Sequence, residues 1–435
     1  MPLVCIGLSH RTAPVEVRER HAFPAARLGE TLVALRDYEA VREAVLLSTC
    51  GRLEIYAELD DYERGTEQIV TFLRNFRHGD VAHDLSSYMY TLLGAQAVEH
   101  LLRVATGLDS MLIGEAEILG QVKEAYVRAQ GARSLGKTLH QLFREALSAG
   151  KAARSQTGIG DDSVSVATAA IALAKQRLGS LNGKTVVVVG AGKMGSLAAR
   201  RLRAEGCAEI VVVNRSQARA KELVESIEPG AVASAAEWRD LEAALERADV
   251  VVTSTGAAQF VLTAERVATA MRARPARPLF IVDIAVPRDV EAAAGELDGV
   301  ELVDIDHLKD VVDETLERRR GAVPLVEEIV AEHALRFAHW QQSRVAVPVV
   351  TSLVQKAEAI REREIERLFA RCPDLSERER MLVTGASLTI VSKLLHGVVT
   401  NVRDLASSNH AEAITLAALL EQLFELDAHV ARRKT

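Results

Sequence analysis

Hydrophobic and polar positions along the chain fall into three successive regimes. Over the first of these, short apolar runs alternate with helical stripes. They predict strand (3–9), helix (about 25–37), strand (43–49), strand (53–59), helix (62–77) and strand (86–91). This is the order of the ferredoxin-like split βαβ motif, and helical patterns follow at 94–107, 115–130 and 136–155. A second regime opens near Ser163 with a helix to about Leu178. Lys184-Thr185-Val186-Val187-Val188-Val189 then reads as a parallel strand covered on both faces, and strands alternate with helices to about 304. That alternation predicts a doubly wound, Rossmann-type sheet. From 306 onward the pattern is almost wholly helical and rich in Arg, Glu, Leu and Ala. Pro324 and Pro348 are expected to interrupt it, Pro324 by starting or kinking a helix. The stripe Leu416, Leu419, Leu420, Leu423 predicts packing on another helix, with a partner subunit as a place to bury it. Three domains are therefore expected, at 1–157, 158–304 and 305–435.

Composition narrows the class. The 435 residues are 48% apolar and 26% charged, as in an ordinary folded protein with several cores. No uninterrupted apolar stretch reaches the length of a membrane span, and the start lacks the layout of a signal peptide. The four cysteines, Cys5, Cys50, Cys207 and Cys372, are far apart and form no CxxC pair. That argues against a disulfide framework or a structural metal site and for a reducing cytoplasm. A net charge of −7 gives no global sign of nucleic-acid binding.

Two segments carry candidate chemistry. Ser48-Thr49-Cys50-Gly51-Arg52 places a thiol at the tip between two strands, beside a guanidinium that would favour a thiolate and suit a substrate carboxylate. Such a thiol is a candidate for covalent acyl capture; the alternative is a small apolar side chain. Gly190-Ala191-Gly192-Lys193-Met194-Gly195 follows a strand and opens a helix, the setting a dinucleotide pyrophosphate requires. The next strand ends at Asn214-Arg215-Ser216 without an acidic residue, so Arg215 points to the 2′-phosphate of NADPH. Thr253-Ser254-Thr255-Gly256 belongs at the ligand-facing end of the same sheet. A thiol with a hydride donor suggests reduction of an acyl group, held as a thioester, to an aldehyde. His100 reads either as proton donor to a leaving alkoxide or as a packing residue among leucines. Ser110 reads as a helix cap, with Glu115, Glu117 and Gln121 as helical surface, or all four as a polar pocket.

Several motifs in order resemble the glutamyl-tRNA reductase family. They are Gly7-Leu8-Ser9-His10-Arg11-Thr12-Ala13-Pro14, the Ser-Thr-Cys-x-Arg turn, the Asp109–Lys123 segment, Gly190–Gly195, Asn214-Arg215, Asp283-Ile284-Ala285-Val286-Pro287-Arg288-Asp289 and Lys393-Leu394-Leu395-His396. The resemblance implies NADPH-dependent reduction of glutamyl-tRNA to glutamate-1-semialdehyde, the first step of five-carbon tetrapyrrole synthesis. It makes Cys50 the nucleophile and His100 an activity-critical histidine. Thr49, Gly51, Arg52, Ser110, Glu115, Ala116, Glu117 and Gln121 would line the glutamate pocket, with Arg52 at the carboxylate, and the Gly190–Gly195 turn with Asn214 and Arg215 would carry NADPH. It also implies a long spinal helix, a helical dimerisation domain in a V-shaped homodimer, and an aminotransferase partner for the unstable product. The family usually has Asn, Pro and Gln where this chain has Gly51, Ala116 and Glu117. Gly51 suits a turn needing positive φ, and Glu117 puts an extra anion near a glutamate substrate. Two other readings are an NADPH oxidoreductase of shikimate dehydrogenase type and a non-catalytic tRNA-binding regulator.

Overall fold

The computed structural model describes residues 1–23, 27–75, 85–160, 165–227, 233–257, 259–275, 277–310, 314–408 and 410–426. Contacts divide the chain into two compact units, Met1–His333 and Ala334–Thr435.

The first unit begins with β1 (Leu3–Ser9), α1 (Val15–His21), α2 (Leu28–Leu35), β2 (Val41–Ser48), β3 (Arg52–Leu59), α3 (Tyr62–Asn75) and β4 (Tyr90–Leu93). The strands form one antiparallel sheet in the order β2-β3-β1-β4, which is the ferredoxin-like arrangement. α4 (Ala95–Thr106), α5 (Ile118–Gly131) and α6 (Lys137–Gln156) follow. Every residue of β1 and β3 is buried, so both faces of the sheet are covered. Alternation in β3 therefore marks chemistry, not solvent: Arg52, Glu54 and Glu58 are polar residues inside the domain. The sequence pattern misses α1, a two-turn helix whose buried positions are Val15 and Arg18. A stripe that short and that polar carries almost no periodic signal. Residues 25, 26, 76 and 77 of the expected helices lie outside the described residues.

α7 (Val166–Leu178) opens the second half of this unit, its N-terminus closed by a capping box between Ser165 and Thr168. Next come β5 (Thr185–Val189), α8 (Lys193–Ala204), β6 (Glu209–Val213), α9 (Gln217–Ser226) and β7 (Ala233–Ala236). α10 (Leu241–Arg247), β8 (Val250–Thr253), α11 (Ala264–Ala273), β9 (Leu279–Asp283) and β10 (Val300–Asp304) complete it. The all-parallel order β10-β9-β8-β5-β6-β7 is the Rossmann order, with its switch point between β5 and β8. Val15 and Leu112 from the N-terminal part join a single hydrophobic core with Val188, Val212, Val252 and Ile284 of this sheet. The two halves of the unit thus share a core.

α12 (Glu314–Arg371), α13 (Glu377–Ser408) and α14 (His410–Leu423) end the chain. The expected interruptions are not seen: α12 runs through both Pro324 and Pro348. Buried Val326, Val330 and Phe337 hold the turns after Pro324, so packing outweighs the amide that proline lacks. Within the second unit Leu416 and Leu420 pack with Val349, Leu353 and Val402, whereas Leu419 and Leu423 are exposed. Glu377–Val402 is also long and apolar enough to cross a membrane, with mean hydropathy 1.5, although Lys393 breaks its apolar run.

Pro324 is exposed and lies about three turns inside α12. Pro324→Ala restores a backbone donor in a helix interior, where proline costs about 3 kcal/mol. The variant is expected to raise the melting temperature in a calorimetric scan. An unchanged melt means that the missing amide costs this helix nothing.

Candidate active site

Cys50 lies in the turn between β2 and β3, and the turn is built by Thr49. The Thr49 hydroxyl oxygen accepts the amides of Gly51 and Arg52, both at 3.1 Å, and the Thr49 amide donates to the Arg52 carbonyl at 2.8 Å. Outside, the His10 amide donates to the Gly51 carbonyl at 2.8 Å and the Arg18 guanidinium donates to the Cys50 carbonyl. Gly51 is not among the positive-φ glycines, so the expected need for left-handed backbone is not met. A Cβ there would meet only Thr49 Oγ1 at 3.9 Å and His10 Nδ1 at 4.0 Å, ordinary contacts that leave room for a side chain.

The thiol packs against the core shared with the dinucleotide sheet. Burial pushes its pKa up to about 12, Glu115 and Glu117 push the same way, and Arg18 pulls it down. This corrects the sequence reading, in which Arg52 was the activating cation. The Arg52 side chain is only 2% exposed. It donates to Glu54 Oε1 at 2.6 Å, to Asp109 Oδ2 at 3.1 Å and to the Asp109 carbonyl. Two carboxylates thus share its charge and fix its position behind the thiol turn.

Glu54 is the hub of a polar cluster inside the sheet. Its Oε1 receives Arg52, the Tyr90 hydroxyl at 2.5 Å and His100 Nε2 at 2.9 Å, and its Oε2 receives the Tyr56 hydroxyl at 2.6 Å. Burial alone would raise its pKa, but Arg52, His100 and Tyr56 together hold it well below the usual carboxylate range. His100 also stacks with Tyr56 and meets Tyr90 edge-on. Glu54 thus fixes the histidine ring, a partnership sequence inspection misses because alternation alone puts a strand glutamate outside.

Ser110, Glu115, Ala116 and Glu117 are not helical: they lie in the loop before α5, whereas Gln121 is in its first turn. Both acids face the thiol electrostatically. Burial pushes Glu115 up to about 7; the Ser110 hydroxyl opposes this and Glu117 adds to it. Ala116 is exposed. Glu117 is 5% exposed, and the anion that raised concern has a partner: Lys193 Nζ stands 3.3 Å from its Oε1. The loop of one half therefore reaches the glycine turn of the other.

That turn has the features a dinucleotide needs. Gly190 adopts φ +108°, and a Cβ there would meet the Ser254 carbonyl oxygen at 3.0 Å. A Cβ on Gly195 would fall 2.0 Å from the Gly190 carbonyl oxygen, whereas Gly192 faces open space where a pyrophosphate can approach. Ala191 and Met194 pack inward on the core, leaving only their backbone for a ligand. Asn214 Oδ1 accepts the Ala191 amide at 3.3 Å. Arg215 is exposed, with its guanidinium 5.4 Å from the Trp238 ring centroid, ready for a 2′-phosphate. Behind the turn, Thr253 Oγ1 donates to Asp283 at 2.9 Å and the Thr255 amide donates to Asp289 at 2.6 Å. The acids of the Asp283–Asp289 segment thus brace the ends of the sheet. Cys5, Glu54 and His100 offer ligand atoms within 4.8 Å of one another. Four hydrogen bonds already fill that carboxylate, so the trio reads as a network.

Fold and site together define an NADPH-dependent oxidoreductase with a thiol beside its cofactor domain. Comparison with known proteins narrows this. Residues 6–157 match the family model for the N-terminal domain of glutamyl-tRNA(Glu) reductase, 172–311 the shikimate/quinate 5-dehydrogenase model, and 325–426 the glutamyl-tRNA(Glu) reductase dimerisation domain. The glutamyl-tRNA reductase of Geobacillus thermodenitrificans is 42% identical over 412 residues, covering 95% of this chain and 90% of that one. The Bacillus subtilis enzyme is 37% identical over 433 residues, covering 100% and 94%. The solved glutamyl-tRNA reductase of Methanopyrus kandleri is 33% identical with a TM-score of 0.51, covering 98% of this chain and 99% of the other. The chain belongs to the glutamyl-tRNA reductase family, oxidoreductases that open tetrapyrrole biosynthesis. The shikimate-type match covers the dinucleotide domain alone and does not extend to a whole-chain shikimate dehydrogenase.

Glu115 and Cys50 give this site a defined pH response. Above about pH 7 Glu115 is charged and holds the thiol protonated; below it, the neutral acid exerts no such force. Glu115→Gln is expected to speed iodoacetamide alkylation of Cys50 severalfold at pH 8.5 and to leave it unchanged at pH 6. Equal rates at both values would remove Glu115 from the thiol's surroundings.

Proposed function

We propose that this chain carries out the family's reaction through Cys50, forming a thioester with the glutamyl group of glutamyl-tRNA. The observation that supports this reading is the thiol turn packed against the core of the dinucleotide sheet. The Cys50 sulfur attacks the ester carbonyl carbon, the bond to the tRNA 3′-oxygen breaks, and the thiol proton ends on that oxygen. A thiol that keeps its proton until attack suits this exchange, since the leaving alkoxide needs that proton. His100, oriented by Glu54, relays that proton, giving one to the leaving oxygen and recovering the thiol's, and Glu115 lies close enough to the sulfur for its charge to be felt there.

NADPH, when bound, supplies the hydride that takes the acyl group to the aldehyde level. The amides at the start of α8 and the open side of Gly192 would hold its pyrophosphate, and Arg215 its 2′-phosphate. The shared core keeps water from the thioester, which would otherwise hydrolyse. Thr49, Cys50, Gly51, Arg52, Ser110, Glu115, Ala116, Glu117 and Gln121 line the glutamate pocket. On this reading 1–157 is the substrate domain, 158–304 the NADPH domain, and 305–435 the spinal helix and dimerisation domain of a cytoplasmic homodimer. An aminotransferase would take the semialdehyde.

Wild type mixed with glutamyl-tRNA and NADPH is expected to oxidise NADPH and yield an aldehyde, and Cys50→Ser to do neither. Turnover by Cys50→Ser sinks the thioester route. A wild type that binds charged tRNA without turnover restores the regulatory reading. Arg215→Ala is expected to weaken NADPH binding about tenfold while leaving NADH binding within twofold, read by nucleotide fluorescence titration.

A further inference from the structure

α1 belongs to neither motif set of the sequence, yet it is tied at both ends of the problem. Toward the dinucleotide domain, Asp306 accepts the Val15 amide at 2.9 Å and pairs with the Arg18 guanidinium. Arg288 pairs with Glu16 at 2.8 Å and with Glu19 at 2.9 Å. Toward the thiol, the same Arg18 donates to the Cys50 carbonyl, and its Nε donates to the Ala13 carbonyl at 3.2 Å. Its side chain is 2% exposed, so a full positive charge has been taken out of water at this position. A buried guanidinium is tolerated only where its donors are matched, and here they are matched by one carboxylate and two carbonyls.

We propose that Arg18 is the positioning residue of the Cys50 thiol: one fork holds the turn through the Cys50 carbonyl, and Asp306, just after β10 of the dinucleotide sheet, holds the other. The sulfur is otherwise faced by anions, with Glu115 and Glu117 in the loop before α5, Lys193 behind Glu117, and His10 beside the turn. Arg18 is the cation that lowers the pKa of the thiol most, against burial and the two acids. The hold on Cys50 also depends on a carboxylate from the other half of the unit, so thiol and cofactor sheet are wired through one side chain.

This inference rests on Cys50 as the nucleophile, but its test needs neither tRNA nor NADPH. Alkylation of the full chain by iodoacetamide is followed from pH 6 to 10, with Cys50 read on its own peptide by mass spectrometry. Arg18→Met is expected to slow Cys50 alkylation about tenfold at pH 8.5, as one pKa unit would. Arg18→Lys should return the rate to within about twofold. Asp306→Asn frees Arg18 from its counter-ion, so its rate should equal or exceed wild type. A structural strap without an electrostatic role would slow Arg18→Met and Asp306→Asn alike, and that result overturns the proposal. An unchanged Arg18→Met also overturns it. If Arg18→Met fails to fold, a tenfold fall in Arg18→Lys or Asp306→Asn is decisive against it. Turnover by Cys50→Ser would sink the thioester reading while leaving the alkylation result standing.

Discussion

The buried pairing of Arg52 with Glu54 and Asp109 is the constraint on which the N-terminal site depends. Arg52 and Glu54 are two residues apart on β3, so their side chains point to one face and meet at 2.6 Å. Losing one member of such a pair typically costs about 3–5 kcal/mol, because the other charge is left in a low-dielectric interior. Glu54 passes the constraint to His100, Tyr56 and Tyr90, and Asp109 passes it to the loop that carries Ser110, Glu115 and Glu117. Arg52 is thus the peg on which hairpin, histidine and the loop before α5 are hung. The network reaches the surface at Arg11, exposed and 2.9 Å from Asp109.

Much of the architecture was legible because local pattern and global fold agree. Val186–Val189 is a run that only a two-sided parallel sheet covers, and Gly190–Gly195 follows it in the one context that gives the motif meaning. The pocket loop was legible only through resemblance, since Glu115 and Glu117 read equally well as a helix start. What stayed hidden were contacts between segments far apart in sequence. Arg18 and Asp306 are 288 residues apart, and no periodicity marks either. The prolines misled for a related reason: propensity judges Pro324 alone, whereas buried side chains further along decide whether the helix continues.

The shared core changes how catalysis is to be pictured. Cys50, Val15 and Leu112 pack with the sheet that carries the glycine turn, so thiol and cofactor domain already meet in one core. In this arrangement the packing that half-buries Cys50 also raises the pKa of its thiol. Substrate entry must then loosen contacts that keep the sulfur quiet, which ties reactivity to the arrival of the acyl group.

The contact between Glu117 and Lys193 makes one position's tolerance depend on another's. A carboxylate buried at position 117 without a cation is a liability, but a lysine at 193, whose side chain is 73% exposed, is tolerated with or without an acid nearby. Glu117 therefore depends on a residue 76 positions away, in the glycine turn, and placing Glu117 in a relative that lacks Lys193 should carry a penalty that the pair does not.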